Sequence, residues 1–366
     1  MKDIISLFKE LVLIQGTSLK EHNVANFVRN YLTGLPFDII EDKAGTRLGG
    51  TTGNLIIVPK HVDRSQPVEV FMAHMDTVRD TSVIKVVESD GRLQSDGSSQ
   101  LGADNRAGMA IVLDMLSEWE RWQQLGINYI AVFSIAEEIG LKGAGELDLE
   151  GFHVNAVWVF DSAKRPGAYI KKCVGNYDFT ATFKGKASHS AVNPEAGISA
   201  IMVAADALSK FKIGRLADMT TVNIGTIKGG MATNVVAPEC VVHGEIRAVD
   251  ETEILRLLDE TRTLFTEVAH AHGAQLNFET MMDFGPYDHP DDSPMVRRIE
   301  SALTASGLEV KPLNYTGGSD ANVLNSRGFP AINIGIGAQN PHADDEFILI
   351  EDLLAGSRII RNLIQQ

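Results

Sequence analysis

Acidic and imidazole side chains recur in this sequence directly after short apolar runs. His74-Met75-Asp76 follows VEVFMA (68–73), Glu137-Glu138 follows YIAVFSIA (129–136), and Asp161 follows AVWVF (156–160). A loop after AINIGIG (331–337) leads to His342, with Asp344, Asp345 and Glu346 behind it. A further loop, SDGSSQLGADNR (95–106), sets Asp104 at a helix start. Singly, each has a plain explanation: a loop histidine, a helix-capping aspartate, a solvated turn. Gathered in one constriction, the acids would repel one another and suffer desolvation unless a cation offset them.

Oxygen and imidazole donors without thiolate suit Zn²⁺, Co²⁺ or Mn²⁺. Two histidines, two aspartates and a glutamate are too many for one tetrahedral ion but fit two ions sharing a carboxylate. Ion pairs about 3.5–4 Å apart serve aminopeptidases and other hydrolases, lowering the pKa of a shared water and polarising a carbonyl. In Glu137-Glu138 successive side chains point to different sides, so one can coordinate while its neighbour acts as a base. Asp76, two residues beyond His74, is placed to accept the imidazole's second N–H.

Such positions need a scaffold that brings strand ends together. Five apolar runs, 54–58, 68–73, 129–136, 156–160 and 331–336, are rich in Val, Ile and Phe and mostly lack alternation. Strands buried on both faces read this way. Helical stretches lie at 108–120, 293–305 and 351–365. The alternation predicts an α/β fold: a mixed, largely parallel sheet flanked by helices, with ligands at the strand C-terminal ends.

From about 175 to 284 the pattern changes. Residues 176–184 alternate polar and apolar, and 197–211 are apolar at helical spacing. Strand-like runs follow at 221–227 and 239–247, then a helix at 251–270 and a strand at 274–280. That β-α-β-β-α-β order is ferredoxin-like, and a turn-rich stretch, 284–294, closes it. The expected organisation is one discontinuous domain, 1–174 and 285–366, carrying an inserted α+β domain at 175–284.

The 366 residues carry a net charge of −15, with 44 % hydrophobic and 22 % charged residues. This is globular composition, of a length suggesting about two domains. Nucleic-acid binders carry a basic footprint, so no nucleic-acid partner is expected. No run reaches the roughly 18 apolar residues of a membrane span, so no membrane partner is expected either. The N-terminal MKDIISLFKELVLIQ mixes acids with apolar residues and reads as an amphipathic helix, not a signal peptide. Two cysteines, Cys173 and Cys240, make no disulfide framework, and the expected home is the reducing cytoplasm.

Five segments together resemble the motifs of the M20 metallopeptidases, in particular their tripeptidase (peptidase T) branch. They are His74-Met75-Asp76-Thr77-Val78, Gly102-Ala103-Asp104-Asn105-Arg106-Ala107-Gly108, Glu137-Glu138-Ile139-Gly140, Gly317-Gly318-Ser319-Asp320 and His342-Ala343-Asp344-Asp345-Glu346. The resemblance runs from about residue 5 to residue 360 and implies two divalent ions, zinc foremost, with cobalt or manganese as alternatives. His74, Asp104 and Asp161 would hold one ion, and Asp104, Glu138 and His342 the other, with Asp104 bridging. Glu137 would be the general base that activates a metal-bridging water.

The inserted domain would then be the lid through which the chain forms a homodimer. Within it, His189 of Gly185-Lys186-Ala187-Ser188-His189-Ser190 resembles the histidine that reaches a neighbouring active site and stabilises the oxyanion. Asn234, in Ala232-Thr233-Asn234-Val235-Val236, and Arg247, in Gly244-Glu245-Ile246-Arg247, resemble residues holding the substrate's polar groups and carboxylate. The implied activity is that of a tripeptidase-like aminopeptidase on short peptides. N-acyl-amino-acid deacylation or dipeptide cleavage uses the same two-ion site and stays open.

A serine hydrolase is the competing chemistry, since GGSDA (317–321) is one residue from G-x-S-x-G and His342 lies downstream. Ala321 replaces the glycine of the tight turn, and Asp104, Asp161 and Glu137-Glu138 would have no role. A non-catalytic binding protein would not need Glu137 beside five ligands. Gly229-Gly230 and the glycines at 335–337 make neither a dinucleotide nor a P-loop fingerprint. His270-Ala271-His272 reads as a solvated or packed helix face.

Overall fold

The apolar runs become strands. In the computed structural model, which describes residues 2–366, Leu55–Pro59, Pro67–His74, Tyr129–Ser134, His153–Ser162 and Ala331–Gly335 are all extended. Every residue of Leu55–Pro59 and Tyr129–Ser134 is buried, and a strand buried on both faces has no polar side to show. The sheet order is Phe37–Glu41, Leu55–Pro59, Tyr129–Ser134, Pro67–His74, His153–Ser162, Ala331–Gly335, Ala168–Cys173. The four strands from Tyr129–Ser134 to Ala331–Gly335 pair in parallel, and the outer pairings are antiparallel. The expected mixed, largely parallel sheet is present.

Helix Ala103–Ser117 packs against strand Pro67–His74 and against the closing helix Ile350–Leu363. It starts at Ala103 rather than at 108, and a second short helix, Trp119–Gln124, takes over after Glu118. Pro294–Ala305 is capped by Ser293, whose hydroxyl accepts the Val296 amide at 3.3 Å. Ile4–Leu11 is capped by Asp3 and buries Ile4, Leu7, Phe8 and Leu11. Each fully buried large apolar side chain in this core contributes about 1.5–3 kcal/mol.

A small antiparallel sheet supports two of the loops that matter. Its order is Ala338–Gln339, Phe347–Leu349, Arg92–Ser95, Val86–Ser89. Arg92–Ser95 leads into the loop before Asp104, and the loop between Ala338–Gln339 and Phe347–Leu349 carries His342. Both loops therefore start from one platform.

The chain divides into two compact units. One comprises the chain through Lys171 with His289–Asn314 and Ser319–Gln366, and the other comprises Lys172–Asp288 with Tyr315–Gly318. The second unit is an antiparallel sheet ordered Gly214–Ala217, Thr220–Gly229, Glu239–Ala248, Gly175–Lys184, Gln275–Phe284. Helices Ala200–Lys210 and Glu251–Ala271 pack against it over Tyr177, Phe179, Ala181 and Phe183. Four of these strands follow the ferredoxin-like order. The edge strand Gly214–Ala217 is an addition, fully exposed and too short to leave a pattern in the sequence. The last strand runs on to Phe284 through a register shift after Met282. Tyr315–Gly318 joins this unit through hydrogen bonds from Val174 N to Tyr315 O and from Arg247 Nη1 to Thr316 O, both 3.1 Å.

Among the described residues no helix is long and apolar enough to cross a membrane.

Candidate metal centre

Strand ends supply the donors. His74 closes Pro67–His74 and pairs in register with Ser134, the last residue of the strand that Glu137 and Glu138 follow. Asp161 sits near the end of the strand on the other side of Pro67–His74. His74 Nε2 is 3.2 Å from Asp104 Oδ1, 3.1 Å from Asp161 Oδ1 and 3.8 Å from Glu137 Oε2. His342 Nε2 is 3.5 Å from Asp104 Oδ2 and 3.1 Å from Glu138 Oε1. Asp104 thus turns one oxygen to each histidine. His74-Asp104-Asp161, His74-Glu137-Glu138 and Asp104-Glu138-His342 each bring three donor atoms within 4.8 Å of one another.

These groups fit divalent ions. Glu138 Oε1 is buried, and His342 Nε2 approaches it to 3.1 Å as an ion pair, two donor atoms converging beside Asp104. Burial pushes Glu137 well above the usual carboxylate range, His74 opposing and Asp161, Asp320 and Glu138 adding to it. Burial also raises Glu138 and Asp161. Burial disfavours a charged His74, yet Glu137, Asp104 and Asp161 hold it well above an ordinary histidine. Asp104 and Glu138 hold His342 up to about 10. Protons on the imidazoles and acids offset the carboxylates here. Divalent ions at the same donors would displace them.

Further buried groups hold each donor in place. Asn105 donates from Nδ2 to Asp161 Oδ1 at 2.9 Å and accepts the Gly108 amide at 3.0 Å. Glu346 is fully buried and accepts the amides of Gly102 at 2.6 Å and Asp104 at 3.0 Å. It ties the His342 loop to the Asp104 loop. Asp320 accepts the Ser134 hydroxyl at 2.6 Å, and burial pushes its carboxyl up to about 7. Asn105, Asp320 and Glu346 lie inside the five motifs, but their residue types alone did not show which groups they would hold.

Asp76 meets His74 through both its backbone and its side chain. His74 Nδ1 lies 3.1 Å from the backbone carbonyl of Asp76. A carbonyl only accepts, so Nδ1 carries the proton and Nε2 is the nitrogen facing the acids. The carboxylate faces the same Nδ1 at 3.3 Å and is also engaged elsewhere. Its Oδ1 accepts the Glu137 amide at 3.0 Å, and its Oδ2 accepts the Glu138 amide at 3.1 Å and the Ser18 hydroxyl at 2.6 Å. The neighbouring strand brings those amides closer than the imidazole.

Ser319 is buried at the N-cap of helix Asp320–Ser326, with its amide donating to Asn322 Oδ1 at 3.1 Å. A buried helix cap is not an exposed nucleophile. His272 Nε2 lies 2.9 Å from Asp206 Oδ2 on the surface of the second unit.

His189, Asn234 and Arg247 all belong to that second unit. His189 and Asn234 are exposed on adjoining segments, Ser190 N donating to the Asn234 carbonyl at 3.1 Å. His189 Nδ1 accepts the Ala191 amide at 3.3 Å. Arg247 grips Glu245 with two bonds, at 3.2 Å from Nε and 3.0 Å from Nη2.

Known proteins resemble this chain in sequence and fold. Residues 174–273 match the M20 peptidase dimerisation domain, and residues 98–163 match the M42 glutamyl aminopeptidase family. The uncharacterised Bacillus subtilis protein YqjE is 29 % identical over 100 % of this chain and 98 % of its own length. The crystal structure of the aminopeptidase PepT from Bacillus cereus superposes with a TM-score of 0.90 at 28 % identity, covering 99 % of this chain and 97 % of that one. A tripeptidase from Staphylococcus aureus gives a TM-score of 0.89 at 28 % identity, again over 99 % and 97 %.

Proposed function

We propose that this chain, an M20 metallopeptidase of the peptidase T-like branch and so a hydrolase of peptide bonds, is an aminopeptidase acting on tripeptides at a two-ion site. The observation that carries this reading is Asp104 standing between two histidines, each with its own further carboxylate. Asp161 lies beside His74, and Glu138 lies beside His342.

His74, Asp104 and Asp161 would hold one divalent ion, and Asp104, Glu138 and His342 the other, with zinc favoured by the donor types. Bound there, the ions would polarise the scissile carbonyl and make an attacking water more acidic. The remaining steps fall to the chain. Glu137 takes the water's proton and passes it to the leaving amine. Its buried setting raises its basicity, which suits a base working near neutrality. Asp76 steadies both partners, its carbonyl holding His74 and its carboxylate the Glu137 and Glu138 amides.

We assign His189 to the oxyanion in a partner protomer's site, within a homodimer formed through the dimerisation domain. Asn234 would hold the substrate's polar groups, and Arg247 its carboxylate, for which the guanidinium fork is matched. The buried thiols Cys173 and Cys240 suit a reducing cytoplasm.

A hydrolysis screen of the metal-reconstituted protein tests the reading. Tripeptides are cleaved faster than dipeptides, tetrapeptides and N-acyl amino acids. A preference for N-acyl amino acids would make the protein a deacylase with the same ions.

A further inference from the structure

Two carboxylates hold the turn that carries Glu137. Ala136 N donates to Glu21 Oε1 at 3.0 Å, Glu137 N to Asp76 Oδ1 at 3.0 Å, and Glu138 N to Asp76 Oδ2 at 3.1 Å. Successive amides are thus fixed by acids from two separate stretches of the chain. Ala136 has φ +52°, in the left-handed region that a residue with a side chain adopts only when its surroundings impose it. The direction in which the next two side chains leave depends on that backbone. An anchor on the Ala136 amide therefore acts on Glu137 without touching it.

Glu21 is fully buried. Its Oε1 also accepts the Leu19 amide at 2.8 Å, while Oε2 makes no hydrogen bond. The nearby buried guanidinium of Arg106 donates to the carbonyls of Met75 and Ile14. A buried carboxylate with one oxygen unused needs a reason to be retained; its charge stands near that of Arg106, and its Oε1 holds two amides. That oxygen accepts in the ionised and the protonated form alike.

We infer that Glu21 is a positioning residue for the reaction: by holding the Ala136 amide it aims the Glu137 carboxylate. It does so through the reach of its acceptor oxygen, not through its charge. The inference rests on Glu137 being the base.

Two variants separate reach from charge. Glu21→Gln keeps the length and an acceptor oxygen, whereas Glu21→Asp keeps the charge and withdraws it by one methylene. With a tripeptide substrate, Glu21→Asp lowers kcat roughly 10- to 100-fold and Glu21→Gln, the conservative rescue, stays within about threefold, the scale of an ångström misplacement and its repair. KM and metal content stay at wild-type values in both. In a Glu137→Gln background, Glu21→Asp costs nothing further, since no base remains to be aimed. A kcat loss in Glu21→Gln as large as in Glu21→Asp, or none in Glu21→Asp, overturns the inference. So does a fall in metal content that accounts for the lost rate. Glu21→Ala, which removes the acceptor, takes the place of Glu21→Asp with the same outcomes if Glu21→Asp does not fold. Wild-type kcat in Glu137→Gln would instead overturn the reading of Glu137 as the base.

Discussion

Glu138 Oε1 and His342 Nε2 face each other at 3.1 Å, as two ligands of one ion would. His342 sits in a loop and is about half exposed, at 45 % of its side chain, so its removal leaves the core intact. His342→Ala should lower metal content from two ions to about one per chain while the fold persists. Elemental analysis with circular dichroism checks this. Two retained ions would remove His342 from the ligand set.

Glu346 links the two loops by accepting the amides of Gly102 and Asp104. Glu346→Ala strands both donors, which should cost about 1–3 kcal/mol of stability. Metal affinity should fall roughly 10- to 100-fold, because Asp104 loses its support. Denaturant unfolding and a metal titration measure the two effects. Unchanged affinity would mean that the Asp104 loop is held by other contacts.

Arg247 is held by Glu245, which a substrate carboxylate bound there would have to displace. Glu245→Gln should lower KM for a tripeptide several-fold with little change in kcat. Arg247→Lys loses the bidentate grip and should raise KM roughly tenfold, about 1.4 kcal/mol. A tripeptide amide, lacking the carboxylate, should be indifferent to both changes. Equal effects on acid and amide would remove Arg247 from carboxylate binding.

His189 is exposed on the dimerisation domain. Mixing inactive His189→Ala chains with inactive Glu137→Ala chains should restore part of the activity, because one site of a mixed dimer is then complete. No recovery in verified mixed dimers would confine each site to one chain.

Much of the site was legible because its donors follow strands. His74, Glu137-Glu138 and Asp161 each trail an apolar run, and apolar runs at strand length are the strongest signal a buried parallel sheet leaves. Helix Ala103–Ser117 was legible from its apolar body and from the loop that sets Asp104 at its start, but not the non-helical geometry of Asp104 and Asn105 there. Glu21 was not legible at all. It stands at the N-cap of helix His22–Tyr31 and meets Ala136 across 115 positions of sequence, a pairing that only the folded chain brings about. The same holds for Asp76, whose carboxylate meets amides of the neighbouring strand's turn as well as the nearby imidazole. Spacing along the chain showed which residues were near one another in sequence, and packing decided which atoms met.

The role of Glu137 can be tested with one substitution at full metal occupancy. Glu137→Gln is nearly the same size and keeps the turn held by Asp76 and Glu21, but it cannot take a proton. Elemental analysis should show two ions per chain retained, and steady-state hydrolysis of a tripeptide should show kcat reduced about 10²- to 10⁴-fold, the scale of losing a general base. A kcat close to wild type with both ions bound would contradict the account.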